Sequence, residues 1–393
     1  MIEVVHIIAG LDTDGAETVL HRLTSHMDPE RFLNEVISLT TVGPMAPRLE
    51  ASGVRVRALG MRPGMPNPYY LARLASWLRF RKPQVVQTWM YHADLLGGVA
   101  AKLAGNIPVV WGIHHTNLDR DQNKRLTIWT ARACALLSGR VPSHIVCCSE
   151  ASREVHTRFG YVAQKMEVIP NGFDTRQFHP DAKSRASLRR ELGLSESCPV
   201  IGMAARFHPQ KGHRNFVNAA AVLHAQDAEV HFLLCGKGID GHNAELVGWI
   251  EKAGLTPVCH LLGPLEDMPR FFAALDVATS SSLTEAFPVA VGEAMACGIP
   301  CAVTDVGDSG AIVGETGRVV PANDPIALAN AWQSLLNSGP AQRQQLGLAA
   351  RNRVEQKYAL QGIVERYEEV YRQAVTASGG HGAKSSKLAS LPG

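Results

Sequence analysis

The stretch Val277-Ala278-Thr279-Ser280, followed after three residues by Thr284-Glu285-Ala286-Phe287-Pro288-Val289-Ala290-Val291-Gly292-Glu293-Ala294-Met295-Ala296-Cys297-Gly298-Ile299-Pro300, packs a complete structural unit into one run. Val277–Ser280 reads as a buried strand. Pro288 suits the first turn of a helix, where its missing N–H is not needed and its fixed φ fits. Gly298 stops that helix, and residues 299–303 return to a strand pattern. A strand, a crossover helix and another strand in so short a span predict parallel neighbours in one sheet. Glu285 then lies in the loop ahead of the helix, and Glu293 projects from its second turn. Both carboxylates face one helix N-terminus, and each can accept hydrogen bonds from a pair of hydroxyls. In isolation, Glu293 reads equally well as an exposed helix residue.

The same alternation extends outward on both sides. Upstream, strands are expected at 200–205, 230–235 and 258–262, with helices at 214–225, 244–253 and 268–274. Earlier still, strands at 2–9, 35–39, 54–59, 85–88, 109–113, 144–148 and 166–169 alternate with helices at 16–26, 69–80, 92–104 and 125–137 and one from Glu150. The fold class is therefore α/β, with two doubly wound, Rossmann-like domains. Pro170-Asn171-Gly172-Phe173-Asp174 is a turn signal, and the polar stretch from there to Pro199 reads as a linker or hinge. Domains are expected at 1–178 and 179–357. Helices at 327–336, 342–357 and 363–375 close the chain, ahead of a disordered Gly-, Ser- and Lys-rich tail at 378–393.

Composition narrows the function. The 393 residues, 46% of them apolar and 19% charged, exclude a single small module and a disordered chain. A formal charge of +3 gives no bulk field for nucleic acid, so no nucleic-acid partner is expected. The charge is uneven: residues 1–180 hold 20 Lys and Arg against 15 Asp and Glu, and the remainder holds 19 against 21. Eight cysteines without a CxxC pair give no zinc or disulfide framework. With no basic leader and no apolar run of about 18 residues, a cytoplasmic protein without a membrane span is expected.

In open α/β sheets ligands sit beyond the carboxyl ends of strands. Gly10-Leu11-Asp12-Thr13-Asp14-Gly15-Ala16-Glu17 leaves the first strand and opens a helix, which presents N–H groups suited to a phosphate or a sugar hydroxyl. It is neither GxGxxG nor a Walker loop, which argues against a dinucleotide. Arg206 at the end of one strand and Lys211-Gly212 before the next helix are two cations able to neutralise a diphosphate. Taken alone they read at least as readily as solvated surface charges. Cys235-Gly236-Lys237-Gly238 is a close-approach loop or a plain turn.

Together these motifs resemble the retaining GT-B glycosyltransferases of family 4. The resemblance rests on Glu285 and Glu293 with seven residues between them, Arg206 with Lys211, the Asp14–Glu17 loop and Val168-Ile169-Pro170-Asn171-Gly172-Phe173-Asp174, and it runs from Ile2 to about Val375. It implies two domains facing a central cleft, with helix 358–376 joining the first. Glu285 then lies beside the transferred sugar and Glu293 on the ribose hydroxyls. Arg206 and Lys211 hold the diphosphate, aided by Gly15, Gly236 and the backbone after Phe287 and Pro288, from Val289 onward. A histidine after the strand at 109–113 contacts the sugar; His114 is favoured, with His115 adjacent. The chain departs from the family at Asp14-Gly15 and at Val306-Gly307-Asp308-Ser309-Gly310, where many members carry Gly-Gly.

The implied function is transfer of a sugar from a UDP-sugar, alternatively a GDP-sugar, to a glycan or polyprenyl-linked acceptor in surface polysaccharide assembly. Attack comes from the face that the leaving group vacates, and closure between the domains excludes water. Asp119-Arg120-Asp121 and Asp12-Thr13-Asp14 spell the DxD of metal-dependent transferases. Both lie away from the expected diphosphate cations, so no obligatory metal or other cofactor is expected. Leu71, Leu74 and Leu78, with Arg73, Arg79, Arg81 and Lys82 nearby, read either as a peripheral helix on an anionic membrane surface or as an ordinary sheet-covering helix. A sugar-nucleotide epimerase of the same architecture and a non-catalytic sugar-binding protein are the competing readings.

Overall fold

The computed structural model describes residues 1–12, 15–62, 67–119 and 123–385. The chain forms two units, one built from Met1–Gly172 and the segment from Leu360 onward, the other from Phe173–Ala359. The crossing between them falls after Gly172 rather than after residue 178.

The first unit runs β1 (Ile2–Ile8), α1 (Gly15–His26), β2 (Phe32–Ser38), α2 (Ala46–Ala51), β3 (Arg55–Ala58), α3 (Pro68–Arg81), β4 (Val85–Trp89), α4 (Tyr91–Gly105), β5 (Val109–Ile113), α5 (Arg125–Leu137), β6 (His144–Cys147), α6 (Glu150–Phe159) and β7 (Met166–Val168). Its strands are all parallel, in the order β3-β2-β1-β4-β5-β6-β7. One sheet face packs on α1, α2 and the closing helix, burying Val4, Leu20, Leu49, Tyr367 and Tyr371. The other packs on α3, α4 and α5, burying Val5, Leu74, Ala100 and Ala131. With both faces covered, the strands read as continuous apolar runs.

The second unit contains α7 (Ala182–Glu191), β8 (Val200–Ala204), α8 (His213–His224), β9 (His231–Cys235), α9 (Ala244–Lys252), β10 (Cys259–Leu261), α10 (Met268–Ala273), β11 (Val277–Ser280), α11 (Val289–Ala296), β12 (Cys301–Thr304), α12 (Ser309–Val313), β13 (Arg318–Val320), α13 (Pro325–Asn337) and α14 (Gly339–Lys357). Its parallel sheet has the order β10-β9-β8-β11-β12-β13. The closing helix of the first unit is α15 (Leu360–Ser385). It occupies residues 378–385, where a tail was expected, and 386–393 lie outside the described residues.

Two sequence expectations are corrected here. The stretch before Pro199 is not an open linker, because it carries α7, capped by Asp181, whose carboxylate accepts from the N–H groups of Lys183 and Ser184. Arg189 on that helix is fully buried; it pairs with Asp276 at 2.7 Å and donates to the Ala274 and Cys198 carbonyls. An element that buries one guanidinium and one leucine, Leu188, has no apolar period to betray it. The second correction concerns α3. Leu74 and Leu78 are buried against the sheet and Leu71 is partly buried with them, so this stripe is core and not a membrane face.

Candidate active site

In each sheet, chain order reverses beside one strand pair: β1 and β4 in the first unit, β8 and β11 in the second. Loops that leave such a pair diverge and open a crevice at the strand ends.

In the second unit, the β8 and β11 loops bring two expected site residues into contact. Lys211 Nζ donates to Glu285 Oε1 at 2.5 Å, across 74 residues of chain. Ser282 Oγ donates to the same oxygen at 2.8 Å. Ser282 is itself fixed, accepting from Ser280 Oγ at 3.2 Å and, through its carbonyl, from Thr304 Oγ1 at 2.6 Å. Ser281 Oγ reaches across to the Gly212 carbonyl at 3.0 Å, which ties the two loops together. Arg206, just beyond β8, is exposed.

The sequence reading missed the serines, although a run of three at a strand's carboxyl end was a signal for them. It also set aside Gly307. That residue has φ +55° and sits so close that a Cβ would lie 2.1 Å from the Glu285 carbonyl oxygen. The next N–H, of Asp308, donates to the Ala286 carbonyl at 3.2 Å. Glu285 is therefore held by its side chain from one side and by its backbone from the other.

α11 begins at Val289, and Pro288 is its N-cap rather than its first helical residue. The N–H groups of Val289 and Ala290 lead the helix and have no carbonyl within it to meet. Phe287 is buried, and its ring stacks on Phe173 with centroids 6.0 Å apart. The Asn171-Gly172-Phe173 segment thus ends in a prop beneath the first turn of α11. Glu293 is buried on the second turn. Burial first, and the Glu293 charge next, push the Cys297 thiol up to about 12 and also raise that of Cys235.

Gly236 follows β9 with φ +138°, and a Cβ there would meet the Ala205 carbonyl oxygen at 2.3 Å and the Arg206 nitrogen at 3.0 Å. Its own N–H donates to the Gly263 carbonyl at 2.8 Å. Its part is therefore to let the β9 loop press against the Arg206 backbone; the amide is already used.

In the first unit, Gly15 opens α1 in open space, where a Cβ would meet nothing within 4 Å. Thr13 and Asp14 lie outside the described residues, as do Arg120 and Asp121, so neither DxD sequence is described whole. His114 follows β5 and stacks on Trp89 at the end of β4, with centroids 5.0 Å apart. Trp89 Nε1 donates to His6 Nδ1 at 3.3 Å, and His6 Nε2 lies 3.0 Å from Asn34 Oδ1. Those two bonds fit one neutral tautomer of His6. Burial lowers His6 and His114 to about 4, so both imidazoles are neutral at neutral pH. His115 has other surroundings: its ring meets the edge of Tyr91, and its carbonyl accepts from Ser152 Oγ at 2.9 Å.

Among the described residues, no three His, Cys, Asp or Glu side chains are grouped to hold a metal ion. Among them, too, no helix is long and apolar enough to cross a membrane.

Two family models match the chain: glycosyltransferase family 4 over residues 13–177 and glycosyl transferases group 1 over residues 198–338. Among curated proteins, the UDP-Gal:alpha-D-GlcNAc-diphosphoundecaprenol alpha-1,3-galactosyltransferase of Escherichia coli is 27% identical over 266 residues, which is 66% of this chain and 68% of that protein. The lipopolysaccharide core biosynthesis mannosyltransferase LpsB of Rhizobium meliloti is 29% identical over 214 residues, 52% of this chain and 60% of that one. Among solved structures, Anabaena Alr3699/HepE in complex with UDP and glucose superposes with a TM-score of 0.84 at 21% identity, covering 95% of this chain and 100% of that one.

Proposed function

Because the chain belongs to the glycosyltransferases of group 1 and family 4, with their two-domain GT-B fold, and acts in polysaccharide or glycolipid biosynthesis, we propose that it is a retaining transferase. Its donor is a UDP-sugar, and its acceptor a glycan carried on a polyprenyl diphosphate. The observation that carries this reading is the Lys211–Glu285–Ser282 cluster at the switch point of the second unit.

The chemistry follows from charge. A nucleoside diphosphate departs with negative charge, and a site that accelerates its departure must absorb that charge as it develops. Lys211 and Arg206 supply cations, and the leading N–H groups of α11 supply dipoles. Without donor, Lys211 is neutralised by Glu285. An arriving diphosphate competes for the ammonium, and Glu285, still held by Ser282, turns to the sugar hydroxyls. Glu293, on the second turn of α11, accepts from the ribose. The acceptor hydroxyl attacks from the face that the phosphate leaves and gives its proton to that phosphate. His114, neutral at its strand end in the first unit, offers an uncharged hydrogen-bonding group suited to a hydroxyl. With side-chain cations on the diphosphate, no metal is needed.

UDP is favoured over GDP because the Anabaena structural neighbour binds UDP and UDP-glucose and the Escherichia coli relative uses UDP-Gal. The polyprenyl acceptor has the same kind of support, from that relative's diphosphoundecaprenol substrate.

The test is thermal stability with UDP, GDP, ADP and NAD in EDTA, for the parent and for Arg206→Ala and Lys211→Ala. A ligand at a hundredfold excess over Kd stabilises by about 2.7 kcal/mol. A rise in Tm with UDP in EDTA that both variants lose supports the reading. A rise only with added divalent metal, or with NAD alone, overturns it. The anomeric configuration of the product, read by NMR, then decides retention against inversion.

A further inference from the structure

The chain enters the second unit at Phe173 and leaves it at Ala359. These two residues pair in a parallel bridge, and the Phe173 N–H donates to the Tyr358 carbonyl at 2.9 Å. Entry and exit therefore form one short clamp. It holds three rings together: Phe173 is fully buried and stacks on Phe287, and the Tyr358 ring meets both of them edge-on, with centroids 6.5 and 5.7 Å away.

The cluster meets α11 at Gly292, which is buried. Its φ is not positive, so no backbone conformation demands a glycine there. Space does: a Cβ would lie 2.0 Å from Phe173 Cζ and 2.3 Å from Phe173 Cε2. The tip of the ring fills a hollow in the helix that exists only because Gly292 lacks a side chain. The cluster thus fixes the chain at two points, Phe287 just ahead of the helix and Gly292 on it. Between them lie Pro288 and the leading N–H groups of α11; Glu285 comes shortly before the first point, and Glu293 directly after the second. A short span seated at both ends cannot tilt or slide without lifting a ring from its contacts, and close packing resists that because the void forfeits dispersion on every wall.

We propose that Phe173 is a positioning residue for the donor site: its ring, seated in the Gly292 hollow and against Phe287, sets the height and tilt of α11, and with them the places of its leading N–H groups, Glu285 and Glu293. The ring is fully buried and acts through the helix. That those groups meet a nucleoside diphosphate rests on the transferase reading, whereas the seating of the helix does not. Ordinary core packing is the competing account. It predicts that trimming Phe173 lowers stability, as trimming any buried ring of this unit would, and leaves the site unchanged.

Two measurements on the full chain separate the accounts. Phe173→Leu keeps an apolar side chain and removes the ring tip, Gly292→Ala drives a methyl into the ring, and the double variant puts that methyl where the tip was. Phe232→Leu trims another buried ring of the same unit, packed on Phe216 and Trp332, and serves as the control. In the ligand-free protein, hydrogen exchange of residues 285–293 should quicken about tenfold in each single variant, return toward the parent in the double variant, and keep the parent rate in Phe232→Leu. By calorimetric titration, Kd for UDP should rise about tenfold in each single variant. The double variant should bind more tightly than either, and Phe232→Leu should bind as the parent does although its Tm falls. Where Gly292→Ala alone fails to fold, Phe173→Leu against Phe232→Leu carries the test. Unchanged exchange or an unchanged Kd in Phe173→Leu, or the same changes in Phe232→Leu, would overturn the proposal. A parent that does not bind UDP would overturn the donor reading instead, and the exchange rates would still decide the seating of α11.

Discussion

The strand-end loops of the two units have the same architecture and opposite chemistry. In the second unit they set charge against charge, Lys211 on Glu285, and Arg206 is exposed just beyond β8. In the first they set neutral ring against neutral ring: His114 on Trp89, and Tyr91 Oη 2.7 Å from His156 Nε2. Burial holds His6, His114 and His156 of the first unit at about 4, and His213 of the second. A crevice lined with cations suits an anion, and one lined with neutral rings suits hydroxyls and apolar faces. The contrast teaches that a doubly wound sheet fixes where a ligand binds, while the side chains at the switch point decide its charge.

Acidification should part the two units most strongly. A buried neutral histidine takes up its proton only near pH 4, whereas the unfolded chain does so near 6.5. Stability is thus present above 6.5 and is lost as pH falls toward 4, by up to about 3 kcal/mol per histidine. Asp94, raised to about 7 by burial, acts in the opposite sense and offsets about one of the three histidines in the first unit. Hydrogen exchange followed by mass spectrometry between pH 7 and 4.5 should show the first unit opening before the second; the reverse order would break the comparison. Next in size, Lys211→Ala should reduce kcat/KM for a UDP-sugar about 10²–10³-fold. An effect under about threefold would mean that the charged crevice is not the donor site. Gly236→Ala and Gly15→Ala then form a matched pair. The first forces a Cβ into the Ala205 carbonyl and should destabilise the second unit by about 2–3 kcal/mol. The second enters open space and should leave Tm within about one degree. Smaller than the losses at Lys211 and Gly236 is that of Ser282→Ala, which removes one hydrogen bond from Glu285. It should lower kcat about tenfold with little change in KM, and Ser282→Thr should restore most of the loss.

The parallel alternation was legible because buried strands and their covering helices write their periods into the chain. β5 and α5 fall on the residues expected of them, and β11 likewise. α7 was illegible because it buries only Leu188 and Arg189, and the arginine is held by carbonyl groups and Asp276 rather than by an apolar stripe. The short α2 and α12, and β13 at the sheet edge, carry too few residues for a period to be read. At the site, the residue types were legible and their partners were not. Nothing in local sequence joins Lys211 to Glu285, since loop proximity at a switch point is a property of strand order. Likewise, the need for glycine at Gly307 comes from the Glu285 carbonyl it touches.

The return of α15 to the first unit has a consequence for how the protein is made. Val364, Tyr367, Val370 and Tyr371 complete a core whose other members, from Val4 to Ile169, leave the ribosome long before them. All of Phe173–Ala359 must be synthesised in between, which takes about 10–40 s at roughly 5–20 residues per second. For that interval, one apolar face of the seven-stranded sheet has α1 and α2 on it but lacks the cover that α15 provides. The unit that begins first is finished last, and a nascent chain at that stage is the form most in need of a chaperone.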